Sequence, residues 1–378
     1  MKIELKKSNK IVIKIGSSII NNDDGKDYLS NICDEISKFV NEGKEIIIVT
    51  SGAISQGMSI LSITDRPRDI KKLQALAAIG QQKLMLGYEK IFSQNNNHIA
   101  QLLITHNDIN DRVRYLNIKG TIEELLSNKI IPIINENDVV STEEIKLGDN
   151  DNLSSMIANL IGADLLLILT DQQGMYDKNP DCFKDAKLIN SINVSDLKKY
   201  DADFSTQSNI GTGGFATKIQ AVRRAALSGT YTVIASGHDD TILTNIFNKS
   251  YGTLFIPELK KVSSKKQWLD TTENQGAIII DEGACKALNQ NNSLLFVGIK
   301  NVINSFEKGD VINCMNEKNV CIAKGITNYG SEDIVLMKGK STENIISKHG
   351  NKFTKEVIHA DNLIVIEIKS YCSVLIYV

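Results

Sequence analysis

The sequence predicts an α/β protein: an αβα sandwich around a mostly parallel central sheet, followed by a small β-rich domain. Three observations carry this expectation. Through the first 250 residues, short apolar runs alternate with longer helical patterns, the rhythm of strand–helix units whose helices cover both faces of a sheet. Those runs are β-branched and apolar on both faces, as buried parallel strands require. Beyond residue 257 the rhythm changes to short strand-like runs divided by Gly, Asn and Asp turns.

Taken in order, Ile11–Ile15, Glu45–Val49, Ile99–Ile104, Ile130–Ile134, Leu165–Leu169 and Tyr231–Ala235 read as buried strands. Tyr28–Asn41, Ile70–Ser93, Arg114–Ser127, Asn152–Leu160 and Thr217–Ser228 read as the helices between them. Pro257–Gly276 is polar and lysine-rich (Lys260, Lys261, Lys265, Lys266), the composition of a linker with Trp268 as an anchor. Ala277–Ile280, Val311–Cys314, Val320–Lys324, Ile334–Lys338 and Leu363–Ile368 read as strands of the second domain, and Asp281 is placed to cap a helix. The expected division is residues 1–257, a linker at 258–275, and a β-rich domain at 276–367 with an extension to 378.

Composition excludes several classes. With 378 residues, 42% hydrophobic and 23% charged, the chain can bury a sizeable core in two domains. Forty-three Lys and Arg against 45 Asp and Glu leave a net charge of -2, which argues against a protein built to neutralise a phosphate backbone. The opening Met1-Lys-Ile-Glu-Leu-Lys-Lys is followed by an apolar run that Lys14 breaks, and no long apolar run follows. Neither a signal peptide nor a membrane span is expected. Cys33, Cys182, Cys285, Cys314, Cys321 and Cys372 are scattered, with no C-x-x-C pair and no histidine at ligand spacing. They read as reduced thiols in the cytoplasm rather than as a metal site.

Four polar or glycine-rich segments interrupt strand ends: Lys14-Ile-Gly-Ser-Ser18; Thr50-Ser-Gly-Ala-Ile-Ser-Gln-Gly57; Asn135-Glu-Asn-Asp138 with Gly148-Asp-Asn-Asp-Asn152; and Thr170-Asp171 with Gly211-Thr-Gly-Gly-Phe-Ala-Thr-Lys218. Ligands of such sheets bind at the carboxyl ends of strands, where glycines let backbone N–H groups approach an anion. Gly52-x-x-x-x-Gly57 lacks the lysine of a phosphate-binding P-loop, and Gly211-x-Gly213-x-x-Ala216 does not follow a strand, so neither common nucleotide fingerprint applies. Lys14 reads either as a gatekeeper on an exposed edge strand or as a cation held over phosphate. Lys218 reads either as a solvated lysine or as one facing an anion, because a lysine opening a helix opposes the dipole. Asp149 and Asp151 flank Asn150 just before the expected helix; one would serve as a cap, and two exceed what capping needs. The five histidines (His98, His106, His238, His349, His359) neighbour no candidate nucleophile and read as structural or solvent-exposed.

The segments Ile13-Lys-Ile-Gly-Ser-Ser18, Val49-Thr-Ser-Gly-Ala-Ile54, Pro132-Ile-Ile-Asn-Glu-Asn-Asp138, Lys146-Leu-Gly-Asp-Asn-Asp-Asn-Leu-Ser154, Leu169-Thr-Asp-Gln-Gln-Gly-Met-Tyr176 and Gly211–Lys218 resemble the glutamate 5-kinases of the amino-acid kinase superfamily. The similarity runs through nearly the whole chain in order and spacing. From Ala277, with Asp281-Glu-Gly-Ala, the chain resembles the PUA domain appended to many bacterial members. Gln173 stands where a lysine is common, and the apolar tail Ser370–Val378 lies beyond the clear resemblance.

The resemblance implies an amino-acid-kinase-like sandwich with a PUA-like C-terminal domain. It implies transfer of the γ-phosphoryl group of ATP to the side-chain carboxylate of L-glutamate, giving γ-glutamyl 5-phosphate in the first step of proline biosynthesis. Mg2+ would ride on the nucleotide phosphates. Lys14 and Lys218 are similar to the family's two phosphate-binding lysines, and Asp151 to the aspartate that orients both; these three are the catalytic set. The ATP site implied comprises Lys14, Gly16, Thr170, Asp171, Thr212, Gly213, Gly214, Phe215, Ala216, Thr217 and Lys218, with Gly16, Gly52 and the Gly211–Gly214 loop as sources of backbone N–H donors. Ser51, Gly52, Asp138 and Asn150 resemble the glutamate site, with Asp138 the partner of the substrate ammonium and Ser51 and Asn150 donating or bridging to its oxygens. The acceptor carboxylate is already ionised at neutral pH, so no general base is needed.

The family also implies a homo-oligomer (dimer or tetramer), feedback inhibition by proline, a cytoplasmic location, and hand-off of the product to glutamyl phosphate reductase. Rival readings are a superfamily kinase acting on acetylglutamate, aspartate or a nucleoside monophosphate, an RNA-binding protein using the PUA-like domain, and a pseudoenzyme. An amine-binding Asp138 argues against acetylglutamate. From Gln275 onward eleven Lys face eleven Asp and Glu, which argues against RNA binding. Every motif lysine and aspartate is present, which argues against a pseudoenzyme.

Overall fold

The computed structural model describes residues 5–20, 27–141, 150–178, 180, 182–200, 215–248, 251–258, 269, 274–290, 292–340 and 355–366. The chain divides into two compact units, Met1–Ser264 and Lys265–Val378. Each has a hydrophobic cluster of its own.

The first unit runs β1 (Lys10–Ile15), α1 (Ser17–Ile20), α2 (Tyr28–Asn41), β2 (Glu45–Thr50), α3 (Ala53–Ile60), α4 (Ile70–Gln94), β3 (His98–Ile104), α5 (His106–Asn110) and α6 (Arg112–Ser127). It continues with β4 (Ile130–Glu136), α7 (Asn150–Ile161), β5 (Leu165–Thr170), β6 (Ser191–Asn193), α8 (Phe215–Ala226), β7 (Tyr231–Ser236), α9 (Ile242–Asn248) and β8 (Thr253–Ile256). The eight strands form one sheet in the order β3-β4-β2-β1-β5-β7-β8-β6. The first six in that order are mutually parallel, and β8 joins β7 antiparallel. All six expected strands lie in the parallel set. Strands β6 and β8 extend the sheet beyond what was expected.

β1 and β5 sit at the centre, and β5 is buried along its whole length. Their continuous apolar runs are the signature of strands covered on both faces. β3 departs from expectation: only its last residue, Ile104, is fully buried. It is the outermost strand, so it has one neighbour and an open flank. Because the six strands point the same way, Gly16, Ser51, Asn135–Asp138 and Thr170–Asp171 gather along one rim of the sheet.

Helix starts follow side-chain caps. Asp27 accepts from Ser30 N at 2.9 Å and α2 has the expected bounds, while Asp111 accepts from Arg114 N at 2.8 Å and starts α6 two residues earlier than expected. α7 also starts early, at Asn150, so Asn150 and Asp151 belong to its first turn rather than to the loop before it. α3 and α4 cross very closely. A Cβ on Gly57 would lie 2.0 Å from the Leu76 carbonyl oxygen, and one on Gly80 1.8 Å from that of Ala53. Gly57 therefore serves helix packing, the physical reason that its spacing from Gly52 imitates a phosphate loop without being one.

The second unit runs β9 (Gly276–Ile280), α10 (Glu282–Asn289), β10 (Leu294–Leu295), β11 (Ile299–Ile303), β12 (Val311–Met315), β13 (Cys321–Ile326), α11 (Ser331–Met337), β14 (Glu356–Ile358) and β15 (Leu363–Val365). Five strands form a sheet in the order β11-β9-β12-β13-β15, and β10 pairs with β14. Asp281 caps α10, accepting from Ala284 N at 2.7 Å. One expected strand is wrong: Ile334–Lys338 lies in and just beyond α11. Glu332 and Asp333 in its first turn suit the positive helix end, and Ile334 and Met337, three apart, are its buried apolar side chains. Trp268, Cys372 and the tail 370–378 lie outside the described residues.

Candidate active site

Lys14 stands on β1 between β2 and β5, so it is no edge-strand gatekeeper. Its Nζ lies 2.7 Å from Asp151 Oδ1, and Lys218 Nζ lies 3.0 Å from Asp151 Oδ2. Relative exposure is 6% for each lysine and 1% for the aspartate. Charges withdrawn from water this completely must be paired. Here two ammonium groups share one carboxylate, each held on a different oxygen. Burial pushes the Asp151 carboxyl up, but the two ammonium groups outweigh it and bring its pKa down to about 2. Asp151 also sits in the first turn of α7, where the helix dipole favours an anion. Lys218 sits in the first turn of α8 against the dipole, and Asp151 is the anion that compensates. Thr217 Oγ1 adds a 3.4 Å hydrogen bond to Asp151 Oδ2.

The neighbouring residue, Asn150, belongs to a different kind of cluster. Its Nδ2 donates to the Thr50 carbonyl at 2.7 Å, to Asn135 Oδ1 at 2.9 Å and to Ser51 Oγ at 3.1 Å. Asn135 Oδ1 also accepts from Glu136 N at 3.0 Å, and Asn135 Nδ2 donates to Gln81 Oε1 at 2.8 Å. Thr50 Oγ1 is 2.8 Å from the Tyr88 hydroxyl, whose pKa burial pushes up, so the phenol stays neutral. Asp138 is buried two residues beyond β4. Gly52, at φ +98°, turns the chain from β2 into α3 in a conformation that favours glycine.

The structure brings Lys14, Asp151, Thr217 and Lys218 into one cluster and Ser51 and Asn150 into the other. Thr170 and Asp171 end β5 and hydrogen-bond to each other at 2.8 Å. Phe215 is buried, and Ala216 and Thr217 are half-buried, in the first turn of α8. Thr212, Gly213, Gly214 and Asp149 lie outside the described residues. One expectation fails in detail: the Gly16 N–H does not face a ligand but donates to the Leu169 carbonyl at 3.1 Å. Glycine is placed there by crowding, since a Cβ would come within 3.2 Å of that same oxygen.

Gln81 was not singled out from the sequence; Asn135 and Glu136 were marked only as members of the Asn135–Asp138 segment, without roles of their own, and His106 was read as structural or solvent-exposed. Glu136 is buried beside His106, with Oε1 accepting from Ser141 Oγ and 3.6 Å from His106 Nδ1. Its sequence signal was the acidic residue inside the Asn135–Asp138 run.

The Amino acid kinase family profile matches residues 9–236 of this chain. The chain belongs to the amino acid kinase family. A PUA domain profile matches residues 276–349. Glutamate 5-kinase of Hydrogenovibrio crunogenus is 40% identical over 365 residues, covering 95% of this chain and 97% of its own length. That of Caldanaerobacter subterraneus subsp. tengcongensis is 42% identical over 366 residues, covering 95% and 98%. That of Marinomonas sp. is 39% identical over 372 residues, covering 97% and 100%. Both units of this amino acid kinase are therefore shared with those relatives.

Proposed function

We propose that the protein transfers the γ-phosphoryl group of ATP to the side-chain carboxylate of L-glutamate, the first step of proline biosynthesis. The observation that carries this reading is the buried Lys14–Asp151–Lys218 cluster, two ammonium groups on one carboxylate, adjoining the neutral Ser51–Asn135–Asn150 network. Two anions must meet in this reaction, and the side chains supply what that encounter needs. Lys14 and Lys218 neutralise charge on the transferring phosphoryl group, and Asp151 fixes both ammonium groups beforehand, so little reorganisation is needed when charge develops. Asp138 takes the substrate ammonium, and Ser51, Gly52 and Asn150 border the same pocket. The acceptor carboxylate, with an ordinary pKa of about 4.3, attacks without a base.

The ATP site comprises Lys14, Gly16, Thr170, Asp171 and the 212–218 segment. Both oxygens of Asp151 are engaged by lysines, so we place Mg2+ on the nucleotide phosphates, where it would offset their charge, and not on this carboxylate. The kinase domain is assigned to residues 1–257, the linker to 258–275, and the PUA-like domain to 276–367 with its extension to 378.

Proline, which shares the ammonium–carboxylate pair of glutamate, fits the same pocket as a feedback inhibitor. Exposed Ile79, Leu86, Leu103, Val113 and Leu116 on α4, β3 and α6 favour a homo-oligomer, dimer or tetramer. A labile acyl phosphate favours hand-off to glutamyl phosphate reductase, and cytoplasmic substrates favour a cytoplasmic location. Among the described residues no helix is long and apolar enough to cross a membrane.

The test is ADP release with Mg-ATP and a panel of L-glutamate, N-acetylglutamate, L-aspartate and UMP, with hydroxylamine trapping of the acyl phosphate. Turnover of L-glutamate alone is expected. Preference for N-acetylglutamate would remove the ammonium role from Asp138 and overturn the reading.

A further inference from the structure

The hydrogen bonds around Asn150 leave one donor over. The Thr50 carbonyl can only accept, so the Asn150 atom 2.7 Å from it must be the amide nitrogen. The Glu136 backbone N–H can only donate, so the Asn135 atom 3.0 Å from it must be the amide oxygen, which also receives Asn150 Nδ2 at 2.9 Å. Asn135 Nδ2 is thereby turned toward Gln81 and must meet an oxygen, as it does at 2.8 Å. Two backbone groups thus fix the orientation of three amides in series. Gln81 Nε2 is left as the outward end of this chain, shielded from solvent and with no acceptor among the described residues. A buried amide donor without an acceptor is costly and rare. The Gln81 backbone is also held in place, because Gly80 before it lies against Ala53, directly after Ser51–Gly52.

An α-amino acid presents an ammonium and a carboxylate side by side. Asp138 suits the first, and the second needs donors. Asn150 Nδ2 has two hydrogens and already serves three acceptors, so it has none to spare. Ser51 Oγ accepts from Asn150, which leaves its own hydroxyl hydrogen for a ligand. We infer that Gln81 is a substrate-binding residue whose Nε2 donates, beside the Ser51 hydroxyl, to the α-carboxylate of the bound amino acid, and that Asn135 holds it in register. This inference rests on the proposed glutamate kinase reading.

Gln81→Glu tests it, since a carboxylate keeps the acceptor for Asn135 but replaces the donor with a negative charge. The KM for L-glutamate should rise by about 30-fold or more, with the KM for ATP within about twofold and Tm little changed. Gln81→Leu should raise the glutamate KM by about 10-fold while leaving inhibition by 4-aminobutyrate, which lacks the α-carboxylate, nearly unchanged. A glutamate KM within about threefold of wild type in both variants, or equal losses for glutamate and 4-aminobutyrate in Gln81→Leu, would overturn the assignment. Wild-type enzyme assayed alongside separates the two failures. Turnover of glutamate with an unchanged variant KM sinks Gln81 alone, whereas no acyl phosphate from the wild type sinks the kinase reading and this inference with it.

Discussion

The two clusters that meet at Asn150–Asp151 are built from opposite materials. On the Asp151 side, three charged groups are buried against one another, two ammonium groups on one carboxylate. On the Asn150 side, the groups that hold each other are neutral amides, a hydroxyl, one backbone carbonyl and one backbone N–H. Fixed charges gain most where charge develops, so the first cluster should act mainly on the chemical step. A neutral network shapes a pocket equally for ground and transition states, so the second should act mainly on binding. One turn of α7 thus divides the two tasks between adjacent residues.

The sharpest way to break this division is Asp151→Asn. It would leave two buried ammonium groups facing each other, and loss of one partner of a buried ion pair costs about 3–5 kcal/mol. Turnover should fall by about 10³ or more. Urea unfolding and steady-state kinetics check both, and near-normal values of either would mean that Asp151 is not what organises the lysines. The wild type should show the same linkage in its acid limb. The Asp151 pKa of about 2 lies below its ordinary 3.8, so its stabilising contribution is complete above pH 4 and is lost as pH falls toward 2. Asp151→Asn should flatten that part of the stability profile.

Lys14→Ala and Lys218→Ala come next. Each should lower turnover by about 10²–10³ with a much smaller change in the glutamate KM. A normal turnover number in either variant would demote that lysine to a structural counter-ion of Asp151. Asp138→Ala should do the reverse, raising the glutamate KM by about 10- to 100-fold through loss of a charged partner, with the ATP KM unmoved. If instead it lowered turnover alone, the division between chemistry and binding would not follow the two clusters.

What could be read from the sequence follows the same physical lines. Central strands such as β1 and β5 are covered on both faces, so their apolar runs are unbroken, and the polar residues that end them stand out. Lys14, Ser51, Asp138 and Thr170 were found in this way. Ile334–Lys338 was misread because a short apolar run carries no period long enough to separate a strand from a helix. β6 is three residues long and β8 four, too short for any pattern. Gln81 gave no signal, since a glutamine on a long amphipathic helix looks like part of its wet face. Only the fold, by bringing β4 against α4, shows that this glutamine faces inward. The early start of α7 was hidden because Asn and Asp read equally well as loop and as first turn.

The smallest effect is expected from removing the second unit. The hydrophobic cluster of the first unit runs from Leu5 to Leu254, with Ile256 packed against it, and among the described residues it draws on nothing later in the chain. Every residue of both site clusters precedes β8. A chain ending at Ser264 should therefore fold by itself, since a unit with its own core and its own site has what autonomous folding requires. Its turnover number and glutamate KM should stay within a few-fold of the full chain, and proline should still inhibit, because the pocket around Asp138 and Asn150 is intact. A truncated protein that is monodisperse and binds ATP, yet does not phosphorylate glutamate, would contradict this expectation. That result would mean that the charge cluster and the amide network, although complete in the first unit, do not reach working geometry without the second.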